Sequence, residues 1–176
     1  MSDFAQDLAL QIPRLRRYAR ALTHNAAWAD DLVQDTLERA LGRRWLFRFN
    51  SNLTAWLYTM LYRLYLNDAA RARRFRTVAE AEAPEAVAVD DMALQLDLRR
   101  ALARLSVEHR AVLVLVALEQ LSYKEAAGVL GVPVGTVMSR LARAREHLRL
   151  LLSDAALEAA PASASAGAAA ALTRIK

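Results

Sequence analysis

Residues 121–149 read LSYKEAAGVLGVPVGTVMSRLARAREHLR, and the fold turns on this stretch. Ser122 and Glu125 have the S-x-x-E spacing of a capping box, which predicts a helix from Tyr123. Ala126, Ala127 and Leu130 give that helix a small apolar inner face. Gly131 stands where a helix ends in a left-handed residue, and Pro133 cannot continue the first helix but suits the start of a second. From about Val134, the stripe Val137, Leu141, Ala144 and Leu148 must face a core, while Arg140, Arg143 and His147 lie on another face. The pattern predicts a helix-turn-helix, whose second helix enters the major groove of DNA. An ordinary helical hairpin with a solvated basic face is the plainer alternative. The coincidence of capping box, small alanines, turn glycine, proline and basic second helix favours DNA.

Around this stretch the chain has 176 residues, no cysteine, five glycines, four prolines and a net charge of +5. Ala, Leu and Arg dominate, which predicts an all-α protein with enough apolar content for buried cores. Without cysteine there are neither disulfides nor thiolate metal sites. The amino end lacks the apolar stretch of a signal peptide. The longest apolar run, Ala111 to Leu118, is too short to span a bilayer, so a soluble cytoplasmic protein is expected. The charge is uneven: +6 over residues 1–76, −5 over 77–92, +4 over 93–152 and zero over 153–176. Two basic blocks separated by an acidic strip suggest a polyanionic partner.

In chain order, a first helix is expected from Pro13 to Leu22, with a possible turn before it from Asp3. A second is expected from about Ala27 to Leu41, with Val33, Leu37, Ala40 and Leu41 inward and Asp30, Asp31 and Asp35 in its first half. Those carboxylates are read as a solvated or partner-binding face. No histidine lies at ligand spacing, so no metal site is expected. Residues 42–52, GRRWLFRFNSN, break the helical pattern. They read either as a loop anchored by its aromatics or as a surface that takes unstacked bases. Asn52 is a fitting N-cap for a third helix, Leu53 to Arg76, which would reach roughly 36 Å. Leu53, Trp56, Leu57, Met60, Leu61, Leu64 and Tyr65 form its core stripe. Tyr58, Tyr62, Arg63, Asn67, Arg71 and Arg74 lie off the stripe and are the better nucleic-acid candidates, through stacking and phosphate contacts.

Residues 77–92, acidic and interrupted by Pro84, read as a flexible linker long enough to let two domains stand apart. Residues 93–152 then form a second, four-helix domain: Leu94, Leu98, Ala101, Leu102 and Leu105 as one stripe, an apolar central helix Val107 to Gln120 capped by Ser106, and the helix-turn-helix over it. Residues 153–176 read as a low-complexity tail. The glycines at 128, 131 and 135 make no P-loop, and no G-x-S-x-G motif occurs. With no assembled catalytic set, neither an enzyme nor a cofactor is expected.

Two segments, in order, resemble bacterial sigma factors of the extracytoplasmic-function (ECF) group. The first is DDLVQDTLERAL (Asp30 to Leu41) followed by FNSNLTAWLYTMLYRLYLND (Phe49 to Asp68); the second is the 121–149 stretch. The wording is most similar to the general-stress subgroup of alphaproteobacteria. The resemblance covers about residues 10–152 and implies a division of labour. Residues 1–76 would be a region 2-like domain, and 93–152 a region 4-like domain. Asp30, Asp31, Gln34, Asp35 and Thr36 would dock on core RNA polymerase. Phe49, Asn50, Ser51, Asn52, Tyr62, Arg63, Asn67, Arg71 and Arg74 would melt and hold the −10 element, where an unpaired base needs stacking, hydrogen bonds and charge. Val134, Thr136, Met138, Ser139, Arg140 and Arg143 would read the −35 element, with Arg143 alternatively a phosphate anchor that fixes position without reading sequence. Many members have Arg-Asn where this chain has Tyr62-Arg63, and lysine at Met138.

The resemblance further implies promoter DNA, core polymerase and an anti-sigma protein as partners, with phosphodiester chemistry left to the polymerase. A sigma-mimicking decoy that binds only an anti-sigma protein is the alternative. Such decoys usually carry a receiver domain, which this sequence lacks. A stand-alone helix-turn-helix repressor would leave the acidic helix and the aromatic loop unexplained.

Overall fold

The computed structural model describes residues 4–48, 51–76 and 93–159, and every regular element among them is helical. The first half holds α1 (Phe4–Thr23), α2 (Ala26–Gly42) and α3 (Leu53–Arg76). The second holds α4 (Ala93–Arg104), α5 (Val107–Leu113), α6 (Tyr123–Leu130) and α7 (Val134–Ala159). The expected linker, 77–92, lies outside the described residues. Helix α7 runs past residue 152, where the tail was expected to begin.

Helix α1 begins well before Pro13, which was expected to open it. A proline inside a helix withholds one N–H, here from the Ala9 carbonyl. Ala9 is exposed, so water can take that place, and tertiary burial offsets the remaining cost: Leu8 is buried and the Phe4 ring sits 5.8 Å from that of Phe47. The turn into α2 is tight. His24 takes a positive φ of 54°, and Asn25 caps α2 by accepting the Trp28 N–H at 2.8 Å. The buried stripe of α2 is Ala29, Leu32, Val33, Thr36 and Ala40; Leu41, expected inside, is exposed. Thr36 tolerates the core because its hydroxyl donates to the Leu32 carbonyl at 2.7 Å.

Helix α3 keeps its expected limits and buries Leu57, Leu61, Leu64 and Tyr65. Tyr58 and Tyr62, expected off the core, are buried as well. The cause is the second half of the chain, which packs on the first: α6 lies on α3, and α5 on α1. One continuous apolar core joins Leu15 and Leu61 to Val112, Leu115 and Leu141. The two parts, whose linker is long enough to let them stand apart, are packed together in this structure. Leu98, expected in the α4 stripe, is exposed, whereas Ala101 and Leu105 are buried.

The apolar helix expected over Val107 to Gln120 is shorter. Ser106 caps it as foreseen, but α helix gives way after Leu113 to a π-helical turn, Val114–Leu118. Glu119 N–H bonds back five residues to Val114, Leu121 N–H bonds back to Leu115, and Gln120 takes a positive φ of 57°. Wide turns of this kind are rare and cluster at functional positions.

Candidate nucleic-acid interface

The helix-turn-helix is assembled by local chemistry. Ser122 Oγ accepts the Glu125 N–H, and Glu125 Oε2 accepts the Ser122 N–H at 2.9 Å, so both halves of the capping box form. Gly131 is left-handed, with φ 67° and ψ 34°, and its N–H reaches the Ala127 carbonyl. The Pro133 carbonyl accepts from Thr136 and Val137 to open α7. Val137, Leu141 and Ala144 seat α7 on α5 and α6. That seat leaves Val134, Met138, Ser139 and Arg143 exposed on its amino-terminal half, with Thr136 and Arg140 half-buried. Two exposed apolar side chains one turn apart, next to a hydroxyl and a guanidinium, suit thymine methyls, base edges and phosphates.

On α2, Asp30, Asp31, Gln34 and Asp35 share an exposed face; Arg16 donates to Asp30 at 3.1 Å and Gln34 to Glu38 at 3.0 Å. Thr36 is not on this face. It is fully buried in the first half and offers no surface for the docking contact expected of it.

Along α3, Arg63, Asn67 and Arg71 are exposed at four-residue spacing, and Arg71 pairs with Asp68 at 3.3 Å. Arg74 is on the same helix, but its side chain lies outside the described residues, as do Phe49 and Asn50 altogether. Ser51 is exposed and donates to the Arg48 carbonyl. Asn52 caps α3 by accepting the Ala55 N–H, and its amide also donates to Glu125 Oε1 at 2.6 Å, linking the two halves. Tyr62 does not join the exposed row. It stacks at 6.4 Å on Tyr65, faces Glu108 and Arg140 of the second half, and burial pushes its phenol up.

Two residues were absent from the expected sites. Trp45, in the 3₁₀ turn Arg44–Leu46, is 77% exposed despite being the largest side chain type in the loop. Its position among arginines was visible in the sequence; its exposure was not. Glu119 gave no local signal. Its buried carboxylate accepts from Arg14 Nε at 2.9 Å, Arg17 Nε at 2.7 Å and the Tyr58 hydroxyl at 2.6 Å. Burial alone would raise its pKa, but Tyr58, Arg14 and Arg17 together hold it below the usual carboxylate range.

A basic, helix-turn-helix half joined to a helical half with an acidic face and a row of arginines defines a multipartite DNA-binding regulator. Comparison sharpens the class. A family model described as the sigma2 domain of PhyR matches residues 8–62, and sigma-70 region 4 matches residues 95–148. The ECF RNA polymerase sigma factor EcfG of Rhodopseudomonas palustris is 40% identical over 152 residues, 83% of each chain. SigL of Mycobacterium tuberculosis is 38% identical over 148 residues, 80% of this chain and 83% of that one. Among solved structures, the sigma factor RpoE of Bartonella quintana in complex with the anti-sigma factor NepR has a TM-score of 0.77 at 36% identity, covering 87% of this chain and 98% of RpoE. The PhyRSL–NepR complex of a Sphingomonas species has a TM-score of 0.67 at 26% identity, covering 85% of this chain and 89% of that one. The chain belongs to the ECF RNA polymerase sigma factors. As such it is a transcription regulator that binds core polymerase and directs initiation at promoters. No helix among the described residues is long and apolar enough to cross a membrane.

Proposed function

We propose that this sigma factor divides its work between three surfaces. Asp30, Asp31, Gln34 and Asp35 on α2 dock on core polymerase. The row Arg63, Asn67 and Arg71, with Arg74, Tyr62 and residues 49–52 at the head of α3, melts and holds the −10 element. Val134, Thr136, Met138, Ser139, Arg140 and Arg143 on α7 address the −35 element. The observation that carries this reading is α7 itself: Val137, Leu141 and Ala144 fix one face, which leaves a short apolar, hydroxyl and guanidinium face outward. Two modest DNA contacts in one chain act at high effective concentration on each other. The chain performs no bond chemistry, works in the cytoplasm and serves stress-response genes. The NepR complexes formed by RpoE and by PhyRSL support an anti-sigma partner of the same kind.

Transcription in vitro with purified chain, core polymerase and a genomic promoter library tests this, with RNA 5′ ends mapped. Discrete starts that share −35 and −10 elements, and that are suppressed by a NepR-type protein, are the expected result. Binding of a NepR-type protein without polymerase-dependent starts would instead support the anti-sigma decoy.

A further inference from the structure

The polar contacts between the two halves converge on Glu119. Its side chain is fully buried, and all of its side-chain partners, Arg14, Arg17 and Tyr58, lie in the first half. The Glu119 backbone carbonyl also accepts from Arg14 Nη2 at 3.0 Å. The π-helical turn and the left-handed Gln120 deliver the carboxylate to this position, because a regular α helix to residue 120 would aim it elsewhere. A buried carboxylate is tolerated only while such donors surround it. Arg14 and Arg17 keep 38% and 51% of their side chains in water, so this seat is dry at the acid and wet at the bases. One turn along α3 from Tyr58 lies Tyr62, buried by the same closure.

We propose that Glu119 is a latch: it holds the second half closed on α1 and α3, and so keeps Tyr62 covered until the latch is released. The covering of a −10 contact rests on the role given to Tyr62 under the proposed function; the latch itself does not. Glu119 acts on DNA binding only through the positions of other residues and is a positioning residue. Asn52–Glu125 and the Arg110 guanidinium on the Leu22 carbonyl at 3.3 Å are secondary ties across the same boundary.

The test uses the full chain with Gln6→Cys and Ser153→Cys. Both positions are exposed, one in each half, and the natural sequence has no other thiol to label. Single-molecule energy transfer between the two dyes is measured alongside hydroxyl-radical footprinting of Tyr62, with helical content monitored by circular dichroism. The parent should show one compact population and a protected Tyr62. Glu119→Gln should raise the open-to-closed ratio about tenfold or more and expose Tyr62 without loss of helix, since a neutral amide pairs poorly with two guanidiniums. Should Glu119→Gln fail to fold, Arg17→Gln decides, because that arginine is half in water and its loss removes only one of the two guanidiniums, leaving Arg14 and Tyr58 on the carboxylate; it should shift the same ratio in the same direction. A parent that is already open, or variants that stay compact with Tyr62 protected, would overturn the latch. None of these readouts uses promoter DNA, so failure of the transcription test and failure of the latch are distinguishable.

Discussion

The α6–turn–α7 segment and the Glu119 seat are built by opposite means. In the first, each stabilising contact lies within a few residues of its partner: Ser122 with Glu125, Gly131 with Ala127, Pro133 with Thr136. In the second, the acid and its bases are separated by about a hundred residues, and Tyr58 by 61. Local contacts of this kind follow general propensity rules and can be read from the residues themselves. Long-range contacts obey only the packing of this particular fold. The local element therefore keeps its shape by itself, while the Glu119 seat exists only where the two halves are packed together.

The comparison breaks most readily at the distant site. Replacing Arg14 and Arg17 together by alanine leaves a buried carboxylate with Tyr58 alone, and should cost about 3 kcal/mol of unfolding free energy in urea titrations. A loss near zero would mean that the halves separate before Glu119 is ever buried. At the local site, Gly131→Ala should cost about 1 kcal/mol, because a Cβ there meets no neighbour but must accept a positive φ. Gly131→Asn should recover part of the loss; equal losses for both would point to packing rather than backbone strain. Ser122→Ala, which removes one side of the capping box, should cost about 1 kcal/mol, seen as early fraying of α6 in amide exchange.

A graded, pH-dependent effect belongs to His24. Burial, with Arg110 beside it, lowers its pKa from 6.5 to about 4. Between those values the unfolded chain binds a proton that the folded chain refuses, so acid favours unfolding. Stability from this source is complete above about pH 6.5 and declines as pH falls toward 4. His24→Asn keeps a residue that accepts the left-handed conformation, with φ 54°, and should flatten this slope in melts taken across the window. An unchanged slope would assign the acid sensitivity to other groups.

The same contrast explains what the sequence disclosed. The capping box, the Gly131 turn, the α3 limits and the Val137–Leu141–Ala144 stripe follow from spacing and were readable in full. The inward stripe of α2 was shifted because Thr36 counts as polar by type, yet its hydroxyl is satisfied within its own helix. The start of α1 is hidden from the sequence because Pro13 is a strong local stop signal that the burial of Leu8 overrides. Spacing along α3 puts Tyr58 and Tyr62 outside its core stripe, because only the second half of the chain covers them. Of the candidate site residues, those on the exposed faces of α2, α3 and α7 are where spacing placed them, and the ones hidden by closure are those that no window of neighbouring residues could reveal.

The most direct measurement is the distance between dyes at Gln6→Cys and Ser153→Cys in the free chain and again in the polymerase holoenzyme. The account predicts one short distance in the free protein and a distinctly longer one when core polymerase is bound, with Tyr62 uncovered in the second state. The same distance in both states, in a holoenzyme that initiates transcription, would contradict it.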